Sequence, residues 1–184
     1  DTTSGPQTFA LEDASSMFEG SIYNNNLSKW NMNTVKNASR MFANTTEFDQ
    51  YIEPWFQKDG STISHAVENV SGIFTGAQKY NKPTGKWDLR AVTDASDMFK
   101  GTVLFNQPVS NLFKSADGID PVVEDISGMF DGAAAFNQKI TDWNLPTAKN
   151  ASKMFANNTK YNQWMNTLFA TSNDVEDVSG MFEN

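Results

Sequence analysis

The chain has 184 residues, 39% of them hydrophobic and 12% aromatic, enough to bury a sizeable core and too apolar for a chain disordered throughout. Its 14 basic and 22 acidic residues leave a formal net charge of -8, which repels phosphate backbones and anionic lipid and argues against a nucleic-acid partner. Cysteine is absent, which excludes disulfides and thiol chemistry; no stretch approaches the roughly 20 apolar residues of a membrane-spanning helix.

The first element is Phe9-Ala10-Leu11, which reads as the end of a strand turn leading into Asp13, Ser15 and Met17-Phe18. No charged-then-apolar leader follows Asp1. The Met-Phe pair, or Ile-Phe in one copy, returns at Met41, Ile73, Met98, Met129, Met154 and Met181, at spacings of 24, 32, 25, 31, 25 and 27. Seven copies tile residues 1–184 as one tandem-repeat domain.

Four positions before the pair stands Asp or Asn, and two before it always serine: Ser15, Ser39, Ser71, Ser96, Ser127, Ser152 and Ser179. The second member of the pair is Phe18, Phe42, Phe74, Phe99, Phe130, Phe155 or Phe182, and three positions after its first member comes Gly or Asn. Asp or Asn accepts hydrogen bonds from the free amides that open a helix, and Gly or Asn tolerates the left-handed conformation that closes one. The spacing predicts a helix of about six residues in each repeat. An aromatic follows, as Phe48, Tyr80, Phe105, Phe136, Tyr161 and, one place early, Tyr23; these are predicted core positions. The next residue is Asn24, Asp49, Asn81, Asn106, Asn137 or Asn162, a column suited to an internal hydrogen-bonded ladder.

Alternate copies then diverge, so the true unit is a pair of about 56 residues. Trp30-Asn31-Met32, Trp87-Asp88-Leu89 and Trp143-Asn144-Leu145 read as short strands. Trp55-Phe56, Leu112-Phe113 and Leu168-Phe169 lead into longer loops at 57–66, 114–121 and 170–174, which fall at equivalent places and should line one side. The expected fold is an α/β repeat: a leucine-rich-repeat-like solenoid of about seven turns, built from short helices and short parallel strands.

The string Val92-Thr93-Asp94-Ala95-Ser96-Asp97-Met98-Phe99, then Phe105-Asn106-Gln107, resembles the repeat of BspA-like surface proteins and related mollicute lipoproteins. Phe136-Asn137-Gln138 and Trp143-Asn144-Leu145 match again at the expected offset, and the resemblance covers essentially the full chain. It implies a leucine-rich-repeat-like solenoid displayed on cell surfaces and associated with adhesion. The 31- and 32-residue spacings and the Leu-Phe turns depart from that pattern, so no family ligand carries over.

A search for chemistry yields no catalytic or metal set and implies no cofactor. His65 is the one histidine, and neither a Gly-x-Ser-x-Gly elbow nor a Gly-rich phosphate loop is present. The acid clusters around Asp125 and Asp177 have calcium-like composition, but helix capping explains them. Sequons at Asn37, Asn69 and Asn150 arise from the Asn-x-Ser of the repeat itself, leaving Asn44, Asn157 and Asn26 as candidate N-glycosylation sites.

At the far end the chain stops at Met181-Phe182-Glu183-Asn184 without a polar cap, which makes Phe9, Leu11, Met181 and Phe182 candidates for end-to-end contact. A head-to-tail junction would space Met181 and the next Met17 by 20 residues, shorter than any internal spacing. The expectation is an extracellular or cell-surface repeat protein, not an enzyme, with no membrane insertion, that assembles with itself head to tail into a filament or layer. The alternative is an adhesin binding a surface protein or glycan through side loops near Lys58, Lys114 and Asn173. A carbohydrate-active enzyme, needing two suitably spaced carboxylates, is the remote third.

Overall fold

The computed structural model describes residues 10–59, 62–63, 66–116, 118–171 and 174–184. The predicted helices do not form, and the reason lies one residue before each Met-Phe pair. Ser16, Arg40, Gly72, Asp97, Gly128, Lys153 and Gly180 all have φ between 53° and 59°. An α-helix requires negative φ at every interior position, so none can run through this point. A second left-handed residue follows four places on, at Gly20, Asn44, Gly76, Gly101, Gly132 and Asn157.

Between these two points the backbone runs as overlapping turns. In the first repeat Met17, Glu19 and Ser21 donate their N–H groups three residues back, to Ala14, Ser16 and Phe18. The intervening N–H groups point out of the turns into the neighbouring repeat: Ala14, Ser16, Phe18 and Gly20 donate to the carbonyls of Asn37, Ser39, Met41 and Ala43. The same four bonds recur at all six junctions, ending with Ala151, Lys153, Phe155 and Asn157 donating to Asp177, Ser179, Met181 and Glu183 at 2.7–2.9 Å. Alternation of this kind satisfies buried backbone donors without a helix or a sheet.

The parallel strands are also absent. Trp87 and Trp143 each make one isolated antiparallel bridge, with Gln57 and Lys114, and among the described residues the parallel pairings between repeats are single bridges along Asp13, Asn37, Asn69, Asp94, Asp125, Asn150 and Asp177. Among the described residues the regular elements are one 3-10 helix, Glu53–Phe56, begun by Pro54, and a hairpin of β1 (Lys58–Asp59) and β2 (Thr62–Ile63). An α/β, leucine-rich-repeat-like architecture is therefore overturned: the repeats stack through turns.

Two aromatic columns fill the centre of the stack. Phe18, Phe42, Phe74, Phe99, Phe130, Phe155 and Phe182 lie over one another at centroid distances of 5.3–5.7 Å, with ring planes within 10° of parallel. Phe48, Tyr80, Phe105, Phe136 and Tyr161 form the second column at 5.9–6.1 Å. Within a repeat the two rings stack at 3.9–4.1 Å from Phe42–Phe48 to Phe155–Tyr161. Each such contact is worth about 0.5–1.5 kcal/mol beyond the area it buries.

From the second repeat onward the two-repeat period also shows at the first left-handed position. Even-numbered repeats carry Arg40, Asp97 and Lys153 at the first left-handed position, and their side chains lean over Gly72, Gly128 and Gly180 of the next repeat. A Cβ on Gly128 would collide with the Asp97 carboxylate unless that side chain moved, whereas one on Gly72 or Gly180 would meet Cγ of Arg40 or Lys153 at ordinary contact distance, 3.4 Å. Charge alternates as well. Five residues before the Met-Phe pair the column reads Glu12, Lys36, Glu68, Thr93, Glu124, Lys149, Glu176, with ion pairs Lys36–Glu12 at 3.1 Å and Lys149–Glu124 at 2.7 Å.

Candidate functional site

One edge of the stack is built from side-chain amides. Asn24, Asp49, Asn81, Asn106 and Asn137 each accept, through Oδ1, the backbone N–H of Asp49, Asn81, Asn106, Asn137 and Asn162 in the following repeat, at 2.9–3.1 Å. This is the predicted ladder, but it runs along a partly exposed edge rather than in the interior. The residue after each rung reaches back to the same oxygen: Gln50, Gln107, Gln138 and Gln163 donate from Nε2 to Asn24, Asn81, Asn106 and Asn137. The one carboxylate rung, Asp49, faces the one lysine at the Gln position, Lys82, at 2.6 Å. Charge and amide thus match rung by rung.

A second site forms where a side loop returns to the stack. Lys114 bridges to Trp143, and Ala116 pairs with Ile119 around Gly118, whose φ of 73° the turn requires. Arg90, 2% exposed, holds this loop down: Nη1 donates to the carbonyls of Ala116 and Ile119, while Nε and Nη2 grip Asp88 at 2.9 and 2.7 Å. A fork of this geometry is specific to arginine, and burial makes the loss of either partner costly. Beside it lies a cleft of about 240 Å³ lined by Lys86, Trp87, Asp88, Arg90, Asn111 and Lys114. The equivalent loops return to the same side: Gln57 bridges to Trp87, and Thr171 Oγ1 donates to Asn144 at 2.7 Å. In the other copies Asn33 and Pro146 replace Arg90, and that break in the repeat was the available sequence signal.

The Ser column has a local role. Asp13, Asn37, Asn69, Asp94, Asp125, Asn150 and Asp177 each accept the N–H of the serine two residues on, at 2.8–3.0 Å, closing an Asx turn where a helix cap was expected. The Ser15 hydroxyl and then its N–H hold the Asp13 carboxyl below its ordinary range, and the N–H and hydroxyl of Ser179 do the same for Asp177. These bonds occupy acids that resembled cation ligands, and no group of three or more acidic or histidine side chains gathers among the described residues.

Of the candidate sequons, Asn44 and Asn157 are exposed at left-handed positions, with φ of 58° and 53°; Asn157 Nδ2 also donates to Asp131 at 2.8 Å. Asn26 is exposed and accepts the Ser28 N–H. For end-to-end contact, Leu11 is 37% exposed in the first repeat, and Phe182 is 50% exposed in the last beside half-buried Met181, so the two sets stand at opposite ends of the stack. Phe9, His65 and Asn173 lie outside the described residues, as does the Lys58 side chain. Among the described residues no helix is long and apolar enough to cross a membrane.

No curated protein and no solved structure matches the chain. Residues 6–65 and 120–184, well over half of it, match one family, and the chain belongs to that family, described as Mycoplasma protein of unknown function, DUF285, whose members are repeat-containing, surface-type proteins.

Proposed function

We propose that this chain is a non-catalytic recognition module, displayed outside the cell, whose stacked repeats hold side loops in fixed register against a surface protein or glycan. The clamped loop carries this reading: the buried Arg90 guanidinium holds the carbonyls of Ala116 and Ile119, and the cleft it borders brings Lys86 together with Lys114, which also reaches Asp142 at 3.5 Å, on a chain of net charge -8. A locally basic cleft on an acidic molecule steers an acidic partner to one place. The resemblance to BspA-like surface proteins supports display and adhesion, without their leucine-rich-repeat architecture.

The test is attachment of the whole chain to immobilised extracellular-matrix proteins and acidic glycans, with Lys86→Glu and Lys114→Glu as the double variant. Binding should fall at least about tenfold, or 1.4 kcal/mol, with an unchanged melting curve. Equal binding by the variant refutes the loop reading. Head-to-tail assembly through Leu11, Met181 and Phe182 predicts instead a mass that rises with concentration in light scattering.

A further inference from the structure

Two residues beyond each rung of the amide edge is a position that is exposed in every repeat, whereas the residue after it is buried or half-buried. Leu27, Ile52, Thr84, Val109, Ile140 and Met165 point inward. Their exposed neighbours from the second repeat onward are Tyr51, Pro83, Pro108, Lys139 and Trp164. Tyr51 is 40% exposed and Trp164 81%. A single exposed ring on a surface requires no explanation; here Tyr51 and Trp164 hold one register position four repeats apart, with Pro83, Pro108 and Lys139 at the same position between them.

The amides beside this column are half used. Each of Asn24, Asn81, Asn106 and Asn137 spends Oδ1 on two donors, the next backbone N–H and a Gln Nε2, which fills both lone pairs. The Nδ2 groups of these residues and the Oε1 atoms of the paired glutamines take no hydrogen-bond partner among the described residues, and all lie on the partly exposed edge. Each such repeat therefore offers water one amide donor group and one amide acceptor next to a ring or a lysine stem.

The geometry points to a linear, neutral, β-1,4-linked glycan laid along this edge, with one pyranose per repeat, its ring faces on Tyr51, Pro83, Pro108 and Trp164 and its hydroxyls on the Asn Nδ2 and Gln Oε1 atoms. Adjacent hydroxyls of a sugar act as donor and acceptor at once, which an alternating amide row satisfies and an apolar partner does not. The axial C–H groups of a pyranose carry partial positive charge and meet the negative face of an aromatic ring. Spacing fits as well. Repeats advance by between roughly 4.8 Å, the separation of hydrogen-bonded backbones, and the 5.9–6.1 Å between centroids of the adjoining ring column. An extended β-1,4 chain advances by a closely similar step per residue. The net charge of -8 opposes polyanionic glycans at this edge, where Lys82 is already paired with Asp49.

This surface shares no residue with the Lys86–Lys114 cleft, so the two proposals stand or fall separately. Cellooligosaccharides and chitooligosaccharides of increasing length are titrated into the whole chain by calorimetry, with tryptophan fluorescence in parallel. Saturable binding is expected, tightening with length until the sugar spans Tyr51 to Trp164 and then levelling off. Trp164→Ala should weaken it at least about tenfold, or 1.4 kcal/mol, with an unchanged circular dichroism spectrum, while Lys114→Glu leaves it intact. Absence of saturable binding to either series at millimolar sugar overturns the proposal. So does binding that ignores both Trp164→Ala and Tyr51→Ala, and so does a Trp164-dependent dimer in sedimentation, which would make the edge a contact between copies.

Discussion

The Met-Phe segments and the amide edge perform the same task, joining each repeat to the next, with different chemistry. Along the Met-Phe segments the backbone makes four bonds per junction, and residue identity matters through φ and through the phenyl rings packed beneath. Along the amide edge one side-chain oxygen per junction replaces the ladder, supported by a Gln or Lys. Where the backbone bonds, exposed side chains are free to vary, as Ser16, Arg40 and Gly72 do at one position. Where a side chain bonds, its type is nearly fixed.

The comparison breaks most strongly in the core shared by both segments. Phe130→Ala empties a position stacked on Phe99, Phe136 and Phe155 and should cost about 3–5 kcal/mol in chemical denaturation. Gly128→Ala forces a side chain into φ 58° against Asp97 and should cost about 1–2 kcal/mol. Lys153→Gly, at the same register one repeat later, should by contrast be neutral or stabilising, because it relieves the same backbone strain.

Tyr80 sharpens the second ring column. Its hydroxyl is buried with no hydrogen-bond partner among the described residues, where Phe48, Phe105 and Phe136 carry no hydroxyl. Tyr80→Phe should stabilise by about 1 kcal/mol. Burial, together with the Asp49 and Glu53 charges, pushes the Tyr80 hydroxyl well above its ordinary value of 10. A folded pKa above the unfolded one gives stability that is complete below pH 10 and lost as pH rises through the folded value. Wild type should therefore lose stability above pH 10 more steeply than Tyr80→Phe in alkaline denaturation curves.

Asn106→Ala strips two accepted bonds from one rung at a partly exposed edge and should cost about 1 kcal/mol. The smallest effect is at the ionic rung. A double-mutant cycle of Asp49→Asn and Lys82→Gln should give a coupling of about 0.2–1 kcal/mol that shrinks with added salt.

Much of this organisation was legible in the sequence because it recurs: the phenyl columns, the Asx–Ser pairs and the ladder all follow from residue type at fixed register. The backbone differs from the expectation both at the helices and at the short strands over 30–32, 87–89 and 143–145, and the helices show why. An Asx turn and a helix cap use the same side-chain oxygen on the same amides, so Asp13 and Ser15 fit either structure. Gly20 and Asn44 signalled one left-handed residue; the other was hidden at Arg40, Asp97 and Lys153, types that do not advertise that conformation. A stretch of about six residues is also too short to be helical on its own. The Arg90 clamp and the Tyr51–Trp164 column were missed because they vary between copies, and attention to the repeat favours what does not vary.

The turn-built junction is the claim on which the fold rests, and NMR of the labelled chain tests it most directly. We expect positive φ at Asp97 from scalar couplings, slow exchange of the Asp97, Phe99 and Gly101 amides, and hydrogen-bond couplings from them to the carbonyls of Ser127, Met129 and Asp131. Helical φ at Asp97, with sequential helical contacts from Asp94 through Gly101 and no coupling across the junction, would contradict it.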